Sequence, residues 1–183
     1  MSDRFSPIQS TRLNLCSVRL HQLQELRELS IRTFTDAFAE ANTQKDMEMY
    51  VAEAFSEEQL KAEIQDAQAT FYLLKSGEDD TLGYCKLKYG PPSAVKTNGN
   101  ALEICRLYVS QDYQRQGLGQ WMLEQIRKKA LKEKLDFVWL GVWSQNPGAI
   151  RLYERLGFQK IGSYTFILGE DPQTDLIMQL KLS

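Results

Sequence analysis

Two closely spaced glycines between an apolar run and a helical pattern constrain this chain more than any other feature. The segment Gln114-Arg115-Gln116-Gly117-Leu118-Gly119 follows the apolar run 102–110 and leads into a helical pattern that begins at Leu118. Backbone N–H groups in a tight glycine loop and in the first turn of a helix have no intrahelical partners, so they can bind an anion together with the helix dipole. The segment therefore predicts a phosphate-binding loop.

Length, charge and cysteine usage bound the class of protein. A chain of 183 residues with 43% hydrophobic residues suits a single domain, 1–183, with its own core. A net charge of -2 argues against nucleic acid or an anionic membrane as partner. Residues 1–11 lack the apolar stretch of a signal peptide, and no window approaches the ~20 apolar residues of a membrane span. Three cysteines without metal-ligand spacing indicate reduced thiols, so we expect a cytoplasmic protein without a metal site.

Hydrophobic periodicity predicts an α/β layered domain with a mixed sheet. The predicted elements are an edge strand from Leu13, a long helix 21–38 that could break near Thr33, helical pieces 47–55 and 56–66, strands 70–75, 81–89 and 102–109, a helix of about four turns from Leu118, strand 137–143, helix 147–156, and strands 158–168 and 175–182. Residues 90–100 and 169–174 are predicted loops.

Two charged residues interrupt the strand 102–109, which is otherwise apolar on both faces and therefore belongs inside the sheet. Glu103 is either a functional ionisable group or one partner of a buried ion pair, with Arg106 or a lysine. Glu103 and Arg106 face opposite sides of a regular strand, so their pairing requires a bulge. The sequence leaves both interpretations open.

Two familiar phosphate-binding motifs do not fit the glycine loop. A dinucleotide-binding loop requires a third glycine at position 122, where Met122 belongs to the apolar stripe of the helix. A Walker A loop requires Lys and Ser or Thr after its last glycine, but Gln120 and Trp121 follow Gly119.

The residues that do match resemble the GCN5-related N-acetyltransferase (GNAT) family. Gln114, Gly117 and Gly119 match its Gln/Arg-x-x-Gly-x-Gly/Ala motif, after the strand segment Arg106–Val109. The second half of the chain resembles the family pattern Asn-x-x-Ala-x-x-x-Tyr-x-x-x-Gly-Phe, with Asn146, Ala149, Tyr153, Gly157 and Phe158. The two motifs lie about thirty residues apart, with a helix and a strand between them, and together they are far more specific than either alone.

The resemblance implies a mostly antiparallel sheet of about seven strands, flanked by helices, that splays between strands 102–109 and 137–143 to admit acetyl-CoA as cosubstrate. Gly141 would permit a close approach beside this slot. In the implied contacts, the pyrophosphate binds the loop amides of Arg115, Gln116, Gly117, Leu118, Gly119 and Gln120, and the pantetheine arm binds Leu107, Tyr108, Val109 and Asn146. Gln114, Ala149 and Tyr153 are further implied cofactor-binding residues. Arg115, Lys128 and Arg151 are alternative partners for the 3′-phosphate.

The resemblance also implies the reaction, in which an amine attacks the thioester directly in a ternary complex. Glu103 is the candidate base, acting directly or through ordered water. Tyr153 matches the general acid that protonates the CoA thiolate. A backbone N–H near Val109 would stabilise the tetrahedral oxyanion.

The acceptor is less well defined by the sequence. The segments Thr33–Phe38 with Asn42 and 169–175 resemble Pai-type polyamine acetyltransferases within this family. The region 36–66 has nine carboxylates against Lys45 and Lys61, which is either a solvated helix face or a site that attracts a polycation. A peptide, protein or other small amine is an alternative acceptor, and a non-catalytic CoA-binding module is an alternative function. Homodimerisation, with Trp121 or Trp143 at the contact, is also possible on this fold.

Overall fold

A computed structural model of the chain describes residues 13–77 and 80–182. The prediction for residues 1–11 lies outside this part of the chain. The helices are α1 (Leu23–Phe38), α2 (Gln44–Ala54), α3 (Glu57–Gln65), α4 (Leu118–Lys132) and α5 (Pro147–Arg155); the strands are β1 (Leu13–Ser17), β2 (Ala69–Ser76), β3 (Asp80–Tyr89), β4 (Ala101–Val109), β5 (Phe137–Trp143), β6 (Gln159–Leu168) and β7 (Asp171–Lys181). This order confirms the predicted α/β fold. None of the helices in the described ranges is long and apolar enough to cross a membrane.

The seven strands form one sheet in the order β1-β2-β3-β4-β5-β7-β6. Only β4 and β5 are parallel neighbours, and β4 lies in the middle of the sheet, as its apolar faces predict. Helices α4 and α5 pack on one face, around Met122 and Ile126. Helices α1 to α3 cover the other face, around Leu26 and Phe55. The sheet therefore separates the two sequence motifs from the acidic helical region.

Side chains that bond to nearby backbone determine where the first helices run. The Thr33 hydroxyl donates to the Leu29 carbonyl at 2.8 Å, so a residue that could have broken α1 is accommodated within a continuous helix. Thr43 caps α2 by accepting the N–H of Asp46. Ser56 caps α3 by accepting the N–H of Gln59, at the spacing that the sequence predicts.

The hairpin of β6 and β7 is tighter than predicted and is attached to the start of α2. Strand β7 begins at Asp171, so the connection is Gly169 and Glu170 rather than 169–174. Gly169 has φ +62°, and a Cβ there would collide with Asp46. The Glu170 N–H donates to Asp46 Oδ1 at 2.8 Å, and Lys45 pairs with the Glu170 carboxylate at 2.6 Å. These contacts with α2 hold the tip of the hairpin in place.

Candidate active site

Strands β4 and β5 pair only over half of their length. The paired residues are 101–104 of β4 and 137–140 of β5, whereas β5 pairs with β7 over its whole length. At the end of β4, the Ser110 N–H donates to the Leu82 carbonyl, on the β3 side. Successive N–H groups alternate along a strand, so those of Leu107 and Val109 point toward the gap beside β5.

A cavity of about 310 Å³ lies at this gap. Its walls come from both faces of the sheet, because the gap joins them. The predicted site residues that line the cavity are Glu103, Leu107, Tyr108, Val109, Gln114, Asn146, Ala149 and Tyr153. The remaining ones, Arg115, Gln116, Gly117, Leu118, Gly119 and Gln120, form the loop and first turn that lead into α4. The gap thus brings the two sequence motifs to one place.

The glycine loop leaves the start of α4 free for an anion. Gly117 has φ +79° and precedes the helix, which has no side-chain cap and no acidic residue in its first turn. The first intrahelical bond runs from the Trp121 N–H to the Gly117 carbonyl at 2.9 Å. The N–H groups before Trp121 therefore have no partner within the helix and can donate to a ligand. Gln114 donates to the Val109 carbonyl at 3.1 Å and attaches the loop to β4. This geometry is that of an anion site at a helix N-terminus.

Helix α5 presents the second motif to the cavity. The Asn146 side-chain oxygen accepts the Ala149 N–H at 3.0 Å and caps the helix, which leaves the donors of its amide NH₂ group for a ligand. Tyr153 lies one turn beyond Ala149, with its ring 5.7 Å from that of Phe158. Burial raises the pKa of the Tyr153 phenol to about 12, so this residue keeps its proton at neutral pH.

Glu103 and Arg106 reach the same cavity because β4 contains a bulge. Lys86 pairs with Arg106 but Leu87 pairs with Ile104, so Cys105 is an extra residue on β4. Both charged side chains line the cavity, as a bulge allows. They do not form the ion pair that the sequence left open.

The charge of Arg106 is balanced by a residue of α3. Glu63 accepts from Arg106 at 3.0 Å and from Lys86 at 2.8 Å, and these side chains are 12–13% exposed. Burial alone would raise the pKa of Glu63, but the two cations outweigh it and lower the pKa. Within residues 13–77 and 80–182, Glu103 has no such ion pair, and burial raises its pKa. A carboxylate that binds a proton more readily than usual is suited to accept one from a substrate.

Asp175 is a cavity carboxylate that sequence reasoning missed. It lies opposite Trp143 on β5 and opposite Tyr164 on β6. The Tyr164 hydroxyl donates to Asp175 Oδ2 at 3.2 Å, and burial raises the pKa of Asp175. The segment 169–175 stood out in the sequence, but only the strand register places Asp175 at the cavity.

Gly141 and Trp143 also line the cavity. A Cβ on Gly141 would collide with the Tyr164 hydroxyl, so the glycine accommodates that tyrosine on this face. Trp143, a candidate dimer contact, lines the cavity, with its ring 6.3 Å from that of Phe38.

The acidic helical region contributes no carboxylate to the cavity wall. None of the nine described carboxylates between residues 36 and 66 lines it, and six are exposed: Asp36, Glu40, Glu48, Glu53, Glu57 and Glu58. The arrangement favours a solvated helix face over a substrate site. The Pai-like segments do meet, because Gln173 donates to Asn42 at 2.5 Å beside the cavity.

A split sheet beside an anion-binding glycine loop defines a class of α/β proteins that hold a long phosphorylated ligand across the sheet. Residues 23–158 match the acetyltransferase (GNAT) family. The chain is 31% identical over 172 residues to an uncharacterized N-acetyltransferase of Lactobacillus delbrueckii subsp. lactis, covering 94% of this chain and 99% of that protein. The chain therefore belongs to the GNAT family, as an N-acetyltransferase with acetyl-CoA as its cosubstrate.

Other relatives differ in the substrate that they are named for. The ribosomal protein bS18-alanine N-acetyltransferase of Escherichia coli (strain K12) is 46% identical over 85 residues, covering 44% of this chain and 55% of that enzyme. The spermine/spermidine N(1)-acetyltransferase of Bacillus subtilis (strain 168) is 30% identical over 113 residues, covering 60% of this chain and 74% of that enzyme. The crystal structure of PaiA N-acetyltransferase from Thermoplasma acidophilum with coenzyme A has a TM-score of 0.74 at 22% identity, covering 93% of this chain and 99% of that chain. That likeness shows the fold.

Replacing Gly117 by alanine should weaken acetyl-CoA binding at least tenfold, because a side chain at positive φ distorts the loop that leads into α4. Gly77→Ala is the matched control, since Gly77 also has positive φ and open space around it, but lies far from the loop in the sequence. Both variants should lose about 1–2 kcal/mol of stability, because a Cβ is unfavourable in the left-handed conformation. Isothermal titration with acetyl-CoA and urea unfolding measure the two effects, and equal affinities for the two variants would contradict the loop assignment.

Proposed function

We propose that the protein transfers the acetyl group of acetyl-CoA to a primary amine, preferably that of a polyamine, by direct attack in a ternary complex. The observation that carries this proposal is the single cavity that joins the β4–β5 gap to two carboxylates, Glu103 and Asp175. In this proposal, the amides between Arg115 and Gln120 bind the pyrophosphate. The exposed edge Leu107–Val109 and the Asn146 amide bind the pantetheine arm.

Glu103 is the proposed base. An alkyl ammonium of pKa ~10.4 must lose a proton before attack, which costs about 4 kcal/mol near pH 7.4. The raised pKa of Glu103 reduces the difference in pKa between the ammonium that donates this proton and the carboxylate that accepts it. The freed nitrogen lone pair then attacks the thioester carbon. The resulting oxyanion lies near the gap-facing N–H groups of Leu107 and Val109. The C–S bond breaks as the tetrahedral intermediate collapses. The nitrogen gives up its second proton to the Tyr153 phenolate that remains after Tyr153 has protonated the sulfur.

Tyr153 is the proposed acid that protonates the departing CoA sulfur. A phenol with a pKa of about 12 is a weak acid toward a thiolate in water, where a thiol has a pKa near 8.5. The cavity changes this comparison, because burial raises the pKa of the Cys105 thiol, on the same cavity wall, to about 12. A thiolate formed in the same cavity is also destabilised by desolvation, which makes it a stronger base and reduces the difference between its pKa and that of Tyr153.

The variant Glu103→Gln should lower kcat/KM by about 10²–10⁴ at pH 7. In the wild type the base acts only when it is deprotonated, so kcat/KM falls at low pH. Because the pKa of Glu103 is raised, the midpoint of this fall should lie above the ordinary glutamate pKa. The variant should instead gain activity tenfold per pH unit, as free amine accumulates up to pH ~10. Glu40→Gln, at an exposed site, is the control. Identical pH profiles for wild type and Glu103→Gln would eliminate the base role.

The variant Tyr153→Phe should lower kcat by about 10²–10⁴ and leave the KM for acetyl-CoA nearly unchanged, because it removes only the proton donor. Tyr72→Phe, a half-buried tyrosine of the same core, is the matched control. Initial rates of thiol release measure both constants. Unchanged turnover in Tyr153→Phe would remove this residue from the mechanism.

The walls of the cavity support a slender, cationic acceptor. Phe34, Phe38 and Tyr50 line the side opposite α5, and aromatic faces attract ammonium groups. The Asn42–Gln173 bond holds the hairpin against this side. A flexible chain enters such a space more easily than a folded surface. The Bacillus subtilis relative named for spermine and spermidine supports the same choice.

A peptide or protein α-amine is the second candidate acceptor, and the 46% identity to the bS18-alanine enzyme favours it. That match spans about half of that enzyme's length, so it supports a shared acetyl-CoA region more than a shared acceptor.

A panel of amines assayed by thiol release distinguishes these candidates. We expect kcat/KM for spermine and spermidine to exceed that for n-propylamine and for an alanine-initiated peptide by at least tenfold, because further ammonium groups gain from the electron-rich walls. Equal rates for polyamines and monoamines would contradict the polyamine assignment. Preference for the peptide would establish the second candidate.

A further inference from the structure

A second cavity, of about 370 Å³, lies beside the first, and the two share Glu103 and Tyr164 in their walls. Its other walls come from residues 88–94, which are the end of β3 and the start of the following loop, and from Trp139 and Ile177 of the sheet. Glu103 thus borders both spaces. The second cavity is therefore adjacent to the place where an amine would react beside Glu103.

The loop that closes the second cavity is held by specific contacts. The Trp139 indole N–H donates to the Gly90 carbonyl at 2.8 Å, and the Gly90 N–H donates to the Ala101 carbonyl at 3.0 Å. Further along the loop, Val95 fills the space beside Gly162 that a Cβ there would occupy. The walls of the cavity are therefore built by packing and hydrogen bonds at both ends of the segment 90–95.

The wall chemistry suits a cationic or aliphatic chain. Pro91 and Pro92 have no N–H group, so this part of the loop offers carbonyl acceptors without matching donors. Trp139 and Tyr164 supply aromatic faces, which attract ammonium groups. Lys88 also lines this cavity, and its positive charge would repel a bound ammonium group. It is exposed, however, and its long side chain can place its own ammonium in water.

We infer that the second cavity binds the far end of the acceptor, and that the acceptor is a linear amine with a further ammonium group beyond the reacting one. This inference rests on the proposed function. Carbonyl oxygens and ring faces hold the far ammonium without adding another carboxylate beside the reacting nitrogen. That matters because a carboxylate close to the reacting amine stabilises its protonated form and hinders attack.

A bulky substitution in the loop tests this inference. Ala94 lines the second cavity and is exposed, so Ala94→Trp should fill the cavity without disturbing the core. Asn98→Trp is the matched control, because Asn98 is exposed on the same loop but does not line the cavity. We expect Ala94→Trp to reduce kcat/KM at least tenfold for spermine and less than twofold for n-propylamine. Asn98→Trp should change neither.

Equilibrium binding separates this inference from the proposed reaction. Titration of spermine into each variant saturated with CoA should show at least tenfold weaker binding only for Ala94→Trp, whether or not any amine is acetylated. If polyamines are acetylated but Ala94→Trp affects spermine and n-propylamine equally, the second-cavity inference is wrong and the proposed function stands. If no amine is acetylated, the proposed function fails, and unchanged spermine binding in Ala94→Trp overturns the inference as well.

Discussion

The whole site depends on one change of strand pairing. After Leu140, β5 no longer pairs with β4 but keeps its partner β7. Backbone N–H and C=O groups inside a protein must be paired, and leaving one unpaired costs about 1–3 kcal/mol. The gap-facing groups of Leu107 and Val109 therefore favour a ligand with amides of its own, and Gln114 satisfies only the Val109 carbonyl. A pantetheine arm has the complementary groups.

The bulge at Cys105 determines how charge is distributed around this gap. It allows Glu103 and Arg106 to reach the same cavity, where a pair between them would have left the site without a free base. Glu63 instead takes the cation, supported by Lys86. Glu103 thus remains half-buried without an ion-pair partner in the described part of the chain, and burial raises its pKa. Arg106 thus connects Glu63 of α3, with which it pairs, to the cavity that it shares with Glu103, the proposed base on β4.

Much of the fold followed from local sequence patterns. Strand 137–143 has the predicted bounds, and α4 begins at the predicted Leu118. The caps at Ser56 and Asn146 form as their side chains predict. The last hairpin was less predictable, because its polar turn residues suggested a loop over 169–174, whereas contacts with Asp46 of α2 select a tight turn. An interaction between segments more than a hundred residues apart has no local signature.

The sequence by itself determined the glycine loop, the Asn146–Tyr153 helix and the membership of the acetyltransferase family that these motifs indicate. Those features depend on short-range sterics and hydrogen bonds, which neighbouring residues specify. Only the tertiary structure decided that Glu103, Asp175 and Tyr164 meet at one cavity, that Glu63 takes the charge of Arg106, and that the acidic helices contribute no carboxylate to it. These outcomes follow from strand register and from a bulge, because a shift of one residue moves each side chain to the opposite face of the sheet.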